Sequence, residues 1–159
     1  METTRHFVAT VYAVADGAVA LHEHDKLEMW LPAGGHIDRD ELPHEAALRE
    51  TEEELGFRVD LVAPEESIAS ETVRSIPQPQ HFLLEDINVD AAGNVGHQHV
   101  DFIFYGEAPH REIDPGPGEQ PAADWEWFAP ADLDARRDEI PADVVEIGHR
   151  AIEAVEHRA

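Results

Sequence analysis

Residues 43–57 read PHEAALRETEEELGF, and this stretch limits what the chain can fold into more than any other. Pro43 suits the first turn of a helix, where its missing N–H is not needed, and the residues after it are good helix formers. Gly56 stands where a left-handed cap would end the helix. The pattern predicts a helix over 43–55. At about 100° per residue, Glu50, Glu53 and Glu54 share one face, because residues three and four apart are neighbours on successive turns. Ala47, Leu48, Thr51 and Leu55 form the adjoining face, suited to packing on a sheet, while Glu52 points elsewhere. The three carboxylates therefore fall at the edge of the core. Crowding there either raises their pKa values or calls for a divalent cation, and Mg²⁺ takes oxygen ligands of this kind. While the helix is read alone, a solvated acidic face is the plainer account.

The rest of the chain supplies the sheet. HFVATVYAV, from His6 to Val14, is almost continuously apolar and β-branched, as in a strand covered on both faces, and Asp16-Gly17 predicts a tight turn into AVALHE. The short apolar run Met29-Trp30-Leu31 is broken by Pro32-Ala33-Gly34-Gly35, which predicts a loop. Past the helix, Arg58–Val62, Glu66–Val73, His81–Ile87, His97–Tyr105 and Asp124–Phe128 read as strands, with the turn AAGNVG before His97. HREIDPGPGEQP, 110–121, is too rich in proline and glycine for either element, and a loop of twelve residues in a compact domain is often functional. Pro141–His157 is an amphipathic closing helix with Val144, Val145, Gly148, Ala151, Ile152 and Val155 on one side. These elements predict one domain over 1–159, α/β in the broad sense and of α+β type, with a mixed sheet and no internal repeat.

Charge excludes whole classes of partner. The chain carries 35 acidic residues against 11 basic ones, a formal net charge of −24. Neutralising the phosphates of a nucleic acid takes clustered Lys and Arg, whereas here a lone lysine, Lys26, accompanies arginines scattered from Arg5 to Arg158. Near-absence of lysine in so acidic a chain points to a halophilic surface, since at molar salt the Debye length falls to about 3 Å and self-repulsion is screened. Without cysteine there is no disulfide framework, thiolate chemistry or cysteine-bound metal. METTRHFVATVYAVADG lacks the plan of a signal peptide, and no run is long enough to cross a bilayer. The expectation is a cytoplasmic protein away from membranes.

The wider frame around the helix carries more weight than the helix itself. Gly35 is followed after five residues by Glu41, after seven more by Arg49-Glu50, then Thr51, one free position, Glu53-Glu54, one free position, Gly56 and Phe57. This resembles the Nudix box, G-x5-E-x7-R-E-U-x-E-E-x-G-U, at every fixed position. Thr51 departs from the larger aliphatic residue usual at the first U. LPAGGHID at 31–38 and WEWFAPADL at 125–133 are similar to further parts of the family pattern, so the resemblance covers nearly the whole chain. It implies the Nudix fold, a mixed β-sheet sandwiched between helices, and a hydrolase that cleaves the diphosphate of a nucleoside diphosphate linked to another group. By the same resemblance Glu50, Glu53 and Glu54 bind Mg²⁺ or Mn²⁺, the Gly35 carbonyl completes the coordination, Arg49 orients a neighbouring glutamate, and Glu41 assists. Glu53, Glu50 and Arg49 are the catalytic expectations within the box. Where the general base lies on a distal loop in this family, Glu119 is the first candidate and Glu126 the second. Many relatives pair as homodimers.

Substrate identity is less legible. A net negative surface repels an anionic nucleotide, so binding must rest on the metal and a few arginines, for which Arg39 and Arg74 are the candidates. His97-x-His99-x-Asp101 points three side chains to one face of a strand, and His99 is assigned to the substrate cleft; His22-x-His24 repeats the pattern. Imidazole pairs also bind transition metals, though no fixed tetrahedral spacing is visible. Core packing accounts best for Trp30, Trp125 and Trp127. Signatures of the coenzyme A, NADH and ADP-ribose types are not found: ALHEHDKLEMW, SIPQPQHF and Glu71 occupy their places. Two other readings remain, a Nudix-fold module that binds a nucleotide without turnover and an acidic buffer for divalent cations.

Overall fold

The computed structural model describes residues 2–24, 28–64 and 66–158, so Lys26 lies outside the described residues. Strand β1 (Thr4–Ala15) forms the spine of a mixed sheet, because its inner half is apolar on both faces and must be covered on both. Asp16 and Gly17 take positive φ values of 48° and 75°, as a tight hairpin turn requires, and return the chain into β2 (Ala18–Glu23). β2 pairs with β3 (Trp30–Leu31) on one side and later with β8 (Trp125–Phe128). On the other side of the spine, β7 (Val95–Glu107) runs parallel to β1 from Thr4↔His97 to Val14↔Glu107. β5 (Asp60–Leu61) and β6 (His81–Val89) then add antiparallel to β7.

The central strands divide their side chains between two cores. Tyr12, Val14, Ile103 and Tyr105 face one way, against Val144, Val145, Ile147, Ala151 and Ile152 of helix α3 (Ala142–Glu156) and Leu133 of the short helix α2 (Pro130–Ala135). Ala9, Val11, Ala13 and Phe104 face the other way, against Ala46, Ala47 and Leu55 of helix α1 (Pro43–Leu55). The sheet is thus sandwiched between helices, as the sequence resemblance implies. Both faces of β1 from Val8 onward are covered for that reason.

Three expectations are corrected. Ala33–His36 is a strand, β4, antiparallel to β1 with Ala9 opposite Gly35, where the sequence predicts a loop. Its glycines permit the close pairing: a Cβ on Gly34 would lie 2.6 Å from the Ala9 carbonyl oxygen. Glu66–Val73 forms no strand, only a bridge between Ala69 and Arg74, since Ile68 and Val73 stay exposed and have no face to bury. On α1, Ala46 joins Ala47, Thr51 and Leu55 in the core while Leu48 is only partly buried, a rotation of the apolar stripe toward the helix start.

Candidate active site

Helix α1 begins where Glu45 accepts a hydrogen bond from the Leu42 N–H at 2.8 Å and ends where Gly56 adopts φ 81°. Thr51 is fully buried and its hydroxyl donates to the Ala47 carbonyl at 2.6 Å, so the small polar residue is satisfied within its own helix. The face next to it carries the carboxylates and meets β4. Gly35 leaves the room that Glu50 occupies: a Cβ would fall 2.3 Å from Glu50 Oε1. One residue earlier, the Gly34 N–H donates to Glu54 Oε2 at 2.8 Å.

Arg49 organises the acidic edge. Its guanidinium donates to both oxygens of Glu41, at 2.7 and 2.9 Å, to Glu50 Oε1 at 3.0 Å, to Glu53 Oε2 at 3.2 Å and to the His36 carbonyl at 3.1 Å. A planar five-donor group fills this role and an ammonium would not. Glu41 also accepts from the Asp38 N–H at 3.0 Å, and these bonds, those from Arg49 first, hold its acid below the usual carboxylate range. Glu50 and Glu54 behave oppositely. Burial raises Glu50 despite its bond to Arg49, and burial first, then the charges of Glu50, Glu119 and Glu53, push Glu54 up to about 8. A half-buried all-oxygen set that repels itself is what a hard divalent cation satisfies.

The loop 110–121 reaches this edge by capping α1. The Asp114 N–H donates to the Leu55 carbonyl at 2.9 Å and the Gly116 N–H to the Glu53 carbonyl at 2.8 Å, filling acceptors that a helix end leaves free. Gly56 allows the approach, for a Cβ there would stand 2.1 Å from the Asp114 carbonyl oxygen. Farther on, His22 Nδ1 donates to Gln120 Oε1 at 3.1 Å and Gln120 Nε2 donates to the Glu23 carbonyl. Glu119, between these anchors, is exposed, and its charge acts on both Glu50 and Glu54.

The other candidates are distributed differently. Glu126 is paired with Arg136, whose guanidinium stacks 5.0 Å from the Trp30 ring and 4.8 Å from Phe128. Arg39 and Arg74 are exposed and, among the described residues, neither has a side-chain hydrogen bond or ion pair. His99 lies on the sheet face opposite α1, with His6, His36 and His97 around it. Trp30 and Trp125 are in the core; Trp127 is half-buried and donates to the Arg111 carbonyl at 3.0 Å. Sequence reasoning missed Gly34 as the donor to Glu54 and Gln120 as an anchor of the loop. Two adjacent glycines before the box were the signal for the first; nothing local signals the second, because its partner His22 is 98 residues away.

A family model described as the NUDIX domain matches residues 4–148. Among solved structures, a NUDIX-family hydrolase from Clostridium perfringens is similar at 29% identity and a TM-score of 0.80, over 96% of this chain and 99% of that one. A MutT protein from Bacillus halodurans (20% identity, TM-score 0.63, 96% and 82% covered) shares the fold. So does the E. coli dihydroneopterin triphosphate pyrophosphohydrolase, at 18% identity and a TM-score of 0.58 over 96% and 98% of the two chains. No curated protein matches the chain.

Proposed function

The chain belongs to the NUDIX family and is a hydrolase of that family, and from that premise we propose that it is a Mg²⁺- or Mn²⁺-dependent pyrophosphohydrolase of a nucleoside diphosphate linked to another moiety. The observation that carries this reading is the set of box contacts between α1 and β4: Arg49 donates to Glu50 and Glu53, the Gly34 N–H donates to Glu54, and Gly35 leaves the room that Glu50 occupies. In this reading Glu50, Glu53, Glu54 and the Gly35 carbonyl hold the cation. Bound there, such an ion neutralises charge on the diphosphate oxygens and acidifies the attacking water. The chain's own residues do the rest. Arg49 keeps Glu41, Glu50 and Glu53 in one arrangement, and Glu119 accepts the proton as water adds to phosphorus and the bond to the bridging oxygen breaks. The substrate is a small molecule and not a nucleic acid, for which so acidic a chain offers no basic surface. Arg39 and Arg74, exposed and without partners among the described residues, are the cations offered to its phosphates. The same reading has the protein working at molar salt inside the cell, as a homodimer, which sedimentation in molar KCl tests.

The deciding experiment measures phosphate and pyrophosphate release from ADP-ribose, nucleotide sugars, dinucleoside polyphosphates and nucleoside triphosphates, with Mg²⁺ and then Mn²⁺, in molar KCl. One substrate class should dominate, and Glu53→Gln and Glu119→Gln should each lower its turnover by roughly 10²–10⁴-fold. Binding of a nucleotide without turnover by the unmodified protein would replace the enzyme with a binding module.

A further inference from the structure

On the sheet face covered by α3, the buried residues Tyr12 of β1 and Ile103 of β7 give way along the two strands to polar ones. Thr10 donates to Asp101 Oδ2 at 3.0 Å, and beyond them His6 stands opposite His99, while His36 ends β4 opposite Val8. This face is turned away from α1 and its carboxylates, because Gly35, one residue before His36, points to α1 and the pleat alternates.

We propose that His6, His36 and His99 form a second metal site, for a borderline transition cation such as Zn²⁺, apart from the oxygen set of α1. One ring nitrogen from each of the three lies within 4.8 Å of the others, and His6 Nδ1 is 3.2 Å from His36 Nε2. Ligands of a tetrahedral zinc with bonds of about 2.0–2.1 Å stand about 3.3 Å apart, so this pair already has the spacing of two ligands on one ion. Three strands supply the rings, and their pairing fixes the backbone positions without any long side chain to order. The donors also suit the class of metal. Imidazole nitrogen favours zinc, copper, nickel and cobalt, whereas Mg²⁺ takes oxygen. At His99, burial first, then the neighbouring His36, His97 and His6, lower the pKa. Negative charge is at hand in Glu85, 4.0 Å from His99 Nδ1. His97 is held at the margin, its Nδ1 2.7 Å from the Thr4 hydroxyl.

The ion would tie β4 to β1 and β7 at the residue following Gly35. The His36 carbonyl accepts from Arg49, so occupancy bears on the neighbouring site through the backbone. Nothing in this proposal depends on which diphosphate the enzyme cleaves.

The test uses the full, untagged chain in saturating Mg²⁺, titrated with Co²⁺ and then Zn²⁺. One equivalent of Co²⁺ should give the intense visible bands of a four-coordinate ion with nitrogen donors, and Zn²⁺ should abolish them. His6→Ala and His99→Ala should each weaken Co²⁺ binding at least roughly 10–100-fold, with circular dichroism and melting used to confirm the fold. His36→Gln, at an exposed strand end, serves where an alanine variant unfolds. Glu53→Gln, and His157→Ala at the far end of α3, should leave the bands and the affinity as they are. Equal binding in the unmodified chain and the His6 and His99 variants, or loss of binding in Glu53→Gln, overturns the site.

Discussion

At the scale of single residues, Gly35 separates folding from chemistry. Its place on β4 is ordinary extended strand, so alanine is tolerated by the backbone, but the added Cβ would lie 2.3 Å from Glu50 Oε1 and 2.4 Å from its carboxyl carbon. The far end of a flexible side chain can move aside, which leaves the strand intact and pushes Glu50 off its bond to Arg49. Displacement by about 1 Å at a reacting centre costs on the order of 10²-fold in rate. Gly35→Ala should therefore lower kcat by about that factor while melting close to the unmodified protein, as a calorimetric scan beside the kinetics would show. A large fall in Tm with a proportionate loss of activity would mean that Gly35 serves packing instead. Thr51 teaches the converse. It breaks the family pattern in sequence, yet its hydroxyl is satisfied by Ala47 and the side chain is fully buried.

At the scale of elements, the loop 110–121 is a strap between helix α1 and strand β2, and His22 sits at its second anchor. Burial lowers the pKa of His22, so its ring stays neutral and donates to Gln120 where a free histidine would begin to charge. The unfolded chain then binds this proton more readily than the folded one. The contribution is complete above the ordinary histidine value of about 6.5 and is lost as pH falls through the lower folded value. Melting followed from pH 8 to pH 5 should show a fall that is smaller in His22→Leu, which keeps the contact with the Trp125 ring but cannot titrate. Identical pH slopes in the two proteins would remove His22 from the account. Such long connections are also where the sequence was hardest to read. Helix α1 and the first hairpin were legible because caps, proline and Asp-Gly act within a few residues. β4 was not, since two glycines look like a loop until β1 is alongside, and Glu66–Val73 had strand composition with no partner to pair with. In the site, Glu41, Arg49, Glu50, Glu53 and Glu54 were legible as spacing along the chain. The meeting of His6, His36 and His99 depends on the register of three strands and could not be read from any one of them.

At the scale of the whole molecule, charge is the property that local structure leaves unresolved. The net charge is −24, and the ion pairs that Arg136, Arg137, Arg150 and Arg158 form lie on the surface, where solvent screens them and each stabilises the fold little. Eleven basic residues cannot neutralise 35 acidic ones, so most carboxylates repel one another across the surface in the folded state and less so in the expanded chain. The Debye length shrinks from about 10 Å at 0.1 M salt to about 3 Å at 1 M, below the separation of most surface charges. Stability should therefore rise with salt, by a few kcal/mol, which for a chain of this size is roughly 10 °C in Tm between 0.1 and 2 M KCl. Sucrose at matched osmolality separates screening from general exclusion of cosolute, which strengthens burial without touching charge. A rise in KCl that sucrose does not reproduce assigns the effect to repulsion. A Tm that is flat in KCl would mean that the carboxylates are already neutralised by specific contacts, and the surface would then have no need of a saline setting.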